Sequence, residues 1–154
     1  MFPIIRACNP EEIVDLRHRV LRQGLPRSEA IFAGDDLPHN FHFGAFEVLG
    51  AQSAEQAVGC ATFHLNQWAE QPAWQLRGMA IDVRWQGAGV GRAILLYAER
   101  SIAQVSDITR YWCNARLSAI PFYERMGWQV ASDLFDIPTA GPHRKMFRET
   151  QSGK

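Results

Sequence analysis

Long apolar runs, paired cysteines and an excess of either charge are all missing from this chain of 154 residues. No segment approaches the ~20 successive apolar residues that a membrane-spanning helix requires. The opening Met1-Phe2-Pro3-Ile4-Ile5-Arg6 lacks the basic start and apolar stretch of a secretory signal, so a cytoplasmic protein with no membrane partner is expected. Sixteen basic residues balance sixteen acidic ones, which leaves no overall field to attract nucleic acid. Cys8, Cys60 and Cys113 are odd in number, far apart and never spaced C-x-x-C, arguing against a disulfide framework and against a zinc site. No metal is expected, and Cys60 and Cys113, set in apolar runs, read as buried thiols. Repeats, low-complexity tracts and linkers are absent too, so residues 1–149 read as one domain with a polar tail at 150–154.

What remains has the balance of a soluble globular protein, 47% hydrophobic and 21% charged. Phe2 to Cys8 reads as a short strand. Asn9-Pro10-Glu11-Glu12 then supplies an N-cap, a proline at the first helical position and two acids in the first turn. A helix is predicted from Pro10 to about Gln23, with Ile13, Leu16, Val20 and Leu21 on its apolar face and Arg17, His18, Arg19 and Arg22 on the rest. Gly24-Leu25-Pro26 ends it. Phe41–Leu49, Ala57–Asn66 and Trp74–Val83 read as strands. Val90, Ile94, Ala98, Ile102 and Val105 recur at helical intervals. A strand at Ile108–Ala115, a short helix at Ser118–Met126 closed by Gly127, and a strand pair at Trp128–Phe135 and His143–Arg148 complete the order. This succession predicts a mixed α/β (α+β) fold with helices on both faces of a central sheet.

Between the third strand of the middle group and the long helix lies Gln86-Gly87-Ala88-Gly89-Val90-Gly91-Arg92. Main-chain N–H groups in a first helical turn have no internal partners and can hold an anion. Glycine lets that backbone approach phosphate oxygens closely, while Gln86 and Arg92 offer side-chain donors. A dinucleotide fingerprint would read G-x-G-x-x-G, but the glycines here give G-x-G-x-G. A P-loop would need a lysine after Gly91, and none follows. Coenzyme A is the remaining reading.

The run from Leu76 to Leu95, with Gln86, Gly89 and Gly91 meeting a [QR]-x-x-G-x-[GA] core, resembles the acetyl-CoA motif of the GNAT superfamily of N-acetyltransferases. Ala119-Ile120-Pro121-Phe122-Tyr123-Glu124-Arg125-Met126-Gly127-Trp128 resembles that family's later A-x-x-x-Y-x-x-x-G-[FW] segment. The resemblance implies a GNAT-like, mostly antiparallel sheet and acetyl-CoA as co-substrate. Backbone groups of Met79, Ala80 and Ile81 would hold the pantetheine arm and the acetyl carbonyl. The turn Gln86, Gly87, Ala88, Gly89, Val90, Gly91 and Arg92 would hold the pyrophosphate. Phe122 would pack on the cofactor, Arg125 would reach a phosphate, and Tyr123 would protonate the departing thiolate. The family's asparagine, seven residues before the tyrosine, is replaced here by Arg116, with Asn114 two residues earlier as the candidate for that contact.

An acceptor amine is mostly protonated at neutral pH, so its attack needs a base. His143, in Ala140-Gly141-Pro142-His143, is the candidate, with Asp136 as the nearby carboxylate; the alternative is a histidine that only satisfies a turn carbonyl. His42 and His64 read as ordinary sheet residues. Arg17 and Arg22 either belong to a solvated basic helix face or bind a carboxylate on the acceptor. Direct transfer in a ternary complex to a small-molecule or peptide amine is expected, with no covalent acyl-enzyme. A non-catalytic acyl-CoA sensor or assembly module is the alternative, and a homodimer is compatible with either.

Overall fold

Eight strands and three α-helices alternate along the chain in a computed structural model that describes residues 1–51 and 54–151. Their order is β1 (Ile4–Ala7), α1 (Val14–Leu21), β2 (Phe41–Leu49), β3 (Ala54–Trp68), β4 (Gln71–Ile81), α2 (Val90–Ala103), β5 (Arg110–Arg116), α3 (Ile120–Arg125), β6 (Gln129–Val130), β7 (Phe135–Ile137) and β8 (Gly141–Glu149). The strands form one sheet in the order β1-β2-β3-β4-β5-β8-β6, with β7 on the early part of β8. Every pairing is antiparallel except β4 with β5. Among the described residues no helix is long and apolar enough to cross a membrane. Most of the expected polar tail, 152–154, lies outside the described residues.

Among the elements whose bounds differ from the expected ones, three do so for a clear local reason. The first helix begins as a single 3-10 turn at Pro10–Glu12, closed by the Asn9 N–H donating to the Glu12 carboxylate at 2.8 Å, and becomes α-helical only from Val14. The long helix stops at Ala103, which leaves Val105 71% exposed rather than on the buried face. The expected strand Trp128–Phe135 is two, because the Ser132 hydroxyl accepts the Lys145 N–H at 2.7 Å and so replaces a ladder partner.

The helices pack on opposite sheet faces. On one, Val90, Ile94, Leu95, Ala98 and Ile102 of α2 meet Phe43, Ala61, Phe63 and Leu76, with Ile120 and Tyr123 of α3 at the end. On the other, Ile13 and Leu16 meet Phe46, Cys60 and Ala80. The close seat of α2 requires Gly59: a Cβ there would lie 2.8 Å from Ile94 Cδ1 and 3.0 Å from Val90 Cγ1. Gly59→Val should therefore cost about 1–3 kcal/mol through overpacking, read as a lower urea midpoint at unchanged denaturant slope.

Two irregularities of β4 create the site. Cys60 pairs with Ala80 but Thr62 pairs with Arg77, so β4 carries one extra residue. Gly78 sits in that bulge at φ +62°, the left-handed region that glycine enters freely. Phe32 presses against it, with Cε2 2.7 Å from where a Cβ would be. The parallel ladder to β5 also stops at Leu76 and Cys113, although both strands continue. Beyond that point they diverge and leave a gap.

Candidate active site

The glycine turn leads into the N-terminus of α2. Gly87 and Gly89 are left-handed, at φ +78° and +87°, and turn the chain from β4 into the helix. The Ala93 N–H closes the first helical bond onto the Gly89 carbonyl at 3.0 Å, which leaves the N–H groups of Val90, Gly91 and Arg92 for a ligand. A Cβ on Gly91 would meet Phe122 Cζ at 3.1 Å, so the third glycine lets α3 close over the turn. These residues line a cleft of about 700 Å³ together with Met79, Ala80, Ile81 and Gln86. Ala88 does not line it. The Gln86 amide donates to the Ile81 carbonyl at 3.1 Å, bracing the turn against the end of β4 rather than pointing as a free donor. Arg92 and Arg125 are exposed on the cleft wall, where an anion would meet them.

A second cleft, of about 210 Å³, opens between the diverging β4 and β5. Met79, Ala119 and Tyr123 line both clefts, which therefore meet at these three residues. Tyr123 is held there by Gly127 at φ +90° and by the Trp128 N–H donating to the Tyr123 carbonyl at 2.9 Å. Its ring packs against Phe122 and Trp128, centroids 5.2 and 5.4 Å away. Burial pushes the phenol well above its ordinary value of 10, so it stays protonated at neutral pH.

His143 lies in the second cleft, 4% exposed. Its Nδ1 is 2.7 Å from the Gly141 carbonyl. A carbonyl only accepts, so Nδ1 carries the proton and Nε2 of the neutral ring keeps its lone pair. The histidine thus satisfies the turn and still presents a basic nitrogen. Asp136 is exposed on β7 and does not line this cleft. Asn114 lines the second cleft rather than the glycine-lined one, its Oδ1 accepting from Lys145 Nζ at 3.1 Å. Cys113 lies beside it, but burial holds its thiol protonated, and burial likewise pushes Cys8 and Cys60 up to about 12. None is a ready nucleophile.

The two arginines singled out on the first helix part company. Arg17 is fully buried: Nη1 donates to Asp35 at 2.5 Å and to the Ala30 carbonyl at 3.1 Å, and Nη2 donates to Thr62 Oγ1 at 2.5 Å. It is a structural ion pair, neither a solvated face nor an acceptor clamp. His42 and His64 belong to the same network. Thr62 Oγ1 lies 2.9 Å from His42 Nδ1, and His64 Nε2 is 3.0 Å from the Asp35 carboxylate. Arg22, by contrast, lines the second cleft with Arg77, Arg116 and Phe32. Phe32 belongs to no motif, and Arg77, although it lies in the run from Leu76 to Leu95, is not one of the positions that carry the resemblance; the one hint was its place beside a strand glycine.

Two meeting clefts, one under a glycine-rich helix start and one holding a histidine with a free lone pair, are what a group transfer between two substrates needs. Comparison with known proteins agrees. Residues 11–128 match the family model described as Acetyltransferase (GNAT) family. The chain is 27% identical over 154 residues to the "Uncharacterized N-acetyltransferase YitI" of Bacillus subtilis, covering 97% of this chain and 98% of that one. Its fold matches Escherichia coli ElaA with a TM-score of 0.75 at 16% identity, covering 97% and 100% of the two chains. An aminoglycoside 6'-N-acetyltransferase complexed with coenzyme A matches with a TM-score of 0.69 at 13% identity, covering 95% and 96%. The chain belongs to the GNAT acetyltransferase family, and it is an acyltransferase.

Proposed function

We propose that this enzyme transfers an acetyl group from acetyl-CoA directly to a primary amine while both are bound. The observation that carries this reading is the junction of the two clefts at Met79, Ala119 and Tyr123. The pyrophosphate would lie on the N–H groups of Val90, Gly91 and Arg92, and the pantetheine arm along Met79–Ile81, which brings the thioester to the junction. His143 Nε2 takes a proton from the acceptor ammonium. The freed amine attacks the thioester carbonyl, the carbon–sulfur bond breaks, the Tyr123 hydroxyl supplies a proton to the departing sulfur, and the excess proton on the newly acylated nitrogen returns the phenol to its protonated form. Burial at the junction disfavours a thiolate as it disfavours a phenolate, so the proton follows the developing charge. With the cysteine thiols held protonated, a covalent acyl-enzyme has no support. The CoA-bound state of the aminoglycoside 6'-N-acetyltransferase of similar fold supports the same choice of donor.

Thiol release from acetyl-CoA against a broad amine panel tests the reaction. Amine-dependent release is expected, and His143→Gln should lower kcat about 100-fold while leaving the KM for acetyl-CoA within about twofold. Tight acetyl-CoA binding in a calorimeter with no amine-dependent release would instead establish a non-catalytic acyl-CoA module.

A further inference from the structure

Three guanidinium groups converge on the smaller cleft without a carboxylate to meet them. Arg22, Arg77 and Arg116 all line it, and no aspartate or glutamate does. Elsewhere Arg17, Arg19, Arg27 and Arg148 each face a carboxylate within 2.9 Å. Among the described residues these three make no ion pair. Arg22 and Arg116 donate to one shared acceptor, the Leu21 carbonyl, each at 3.2 Å. The face of Phe32 aligns two of them, with Arg77 4.7 Å and Arg22 5.5 Å from the ring centroid. The nearest acids are otherwise engaged or peripheral: Asp35 is held by Arg17 and His64, and Glu29 acts on Arg22 only from a distance.

Like charges gathered in a partly desolvated cleft repel one another, and an arrangement of this kind is stabilised by an anion that bridges them. Burial first, then the charges of Arg116 and Arg77, pull Arg22 below its ordinary value, and burial does the same to Arg77. A planar fork of donors suits the paired oxygens of a carboxylate or the oxygens of a phosphate. We infer that the acceptor is a small amine that also carries an anionic group, a carboxylate or a phosphate, held by Arg22, Arg77 and Arg116 while its amine faces His143. The inference rests on the second cleft being the acceptor site. With about 210 Å³ of space, it concerns a molecule of amino-acid size.

Matched acceptors test it. Amino acids, each with its amide and its decarboxylated amine, and O-phosphoethanolamine with ethanolamine, are assayed for thiol release from acetyl-CoA. The anionic member of at least one set should be preferred about 10- to 100-fold in kcat/KM, and whether that set is a carboxylate or the phosphate identifies the anion. Arg77→Gln and Arg116→Gln should each raise the KM for that acceptor about tenfold, leaving the KM for acetyl-CoA and the melting temperature unchanged. Arg77→Lys, which keeps the charge but not the fork, should recover part of the loss. Neutral members used as well as, or better than, their anionic counterparts would overturn the inference and leave the transfer reaction intact. The same amino acids and O-phosphoethanolamine titrated calorimetrically into protein saturated with coenzyme A separate the two readings. Binding that Arg77→Gln abolishes, without turnover of any amine, would keep the anion site and refute the transfer. Absence of both binding and turnover for every anionic probe would overturn the anion site.

Discussion

Tyr123→Phe should lower kcat about 100-fold or more while the KM for acetyl-CoA stays within about twofold. Phenylalanine fills the same space against Phe122 and Trp128, so the fold and both clefts persist and only the hydroxyl is lost. What disappears is the donor that meets the sulfur as the carbon–sulfur bond breaks, an interaction made in the transition state and scarcely in the ground state. The loss should therefore fall on kcat rather than on binding. It should also shrink for an acetyl donor whose thiol is more acidic, because such a leaving group needs the proton less. Steady-state rates with acetyl-CoA and with an acetyl thioester of a more acidic thiol check both statements. Unchanged turnover with acetyl-CoA would remove Tyr123 from the chemistry.

Arg17→Met should destabilise the protein by about 3–5 kcal/mol, measured by urea unfolding. The methionine replaces the volume of the side chain but leaves the Asp35 carboxylate, 5% exposed, without its guanidinium and Thr62 without a donor. The pH dependence of stability should change with it. Burial alone would raise the Asp35 carboxyl, but hydrogen bonds from His64 and Arg17, with the Arg17 charge, hold it well below the ordinary carboxylate range. Its contribution is therefore complete above the unfolded value of about 3.9 and is lost only as pH falls below that. His42, pushed below its ordinary 6.5 by burial, stabilises the fold above that value and begins to lose its contribution as pH falls beneath it. The native protein should weaken gently below about pH 6.5 and steeply below about pH 4. In Arg17→Met the loss below about pH 4 should become smaller, because without the guanidinium the folded carboxyl lies closer to its unfolded value.

Much of this was legible where cause and consequence lie close together in the chain. The glycine turn, the helix that follows it, and Tyr123 four residues before Gly127 are local patterns, and the structure brings them to one place. Arg17 was not legible in that way. A basic residue on a helix flanked by His18 and Arg19 carries the signature of a solvated face, and its partners Asp35 and Thr62 stand 18 and 45 residues away. The splitting of the strand after Trp128 depends on a single hydroxyl, Ser132, reaching Lys145. Arg77 and Arg116 are joined in one cleft only because β4 and β5 part company after Leu76 and Cys113. Local pattern thus located the glycine-lined cleft, while the second cleft is a product of tertiary geometry.

In an unbroken strand, residues of like parity share a side. Here Leu76 packs with α2 and Ala80 packs with Ile13 and Leu16 on the opposite face, although both positions are even. The extra residue at Gly78 reverses the count. Arg77 consequently turns to Phe32 and the first helix, while Met79, two positions on, turns to the core of α2 and α3. One strand therefore sends neighbouring odd-numbered side chains to opposite faces of the sheet. Were the bulge straightened with Gly78 kept as an ordinary strand residue, the alternation would become uniform and carry Arg77 and Met79 to a common side.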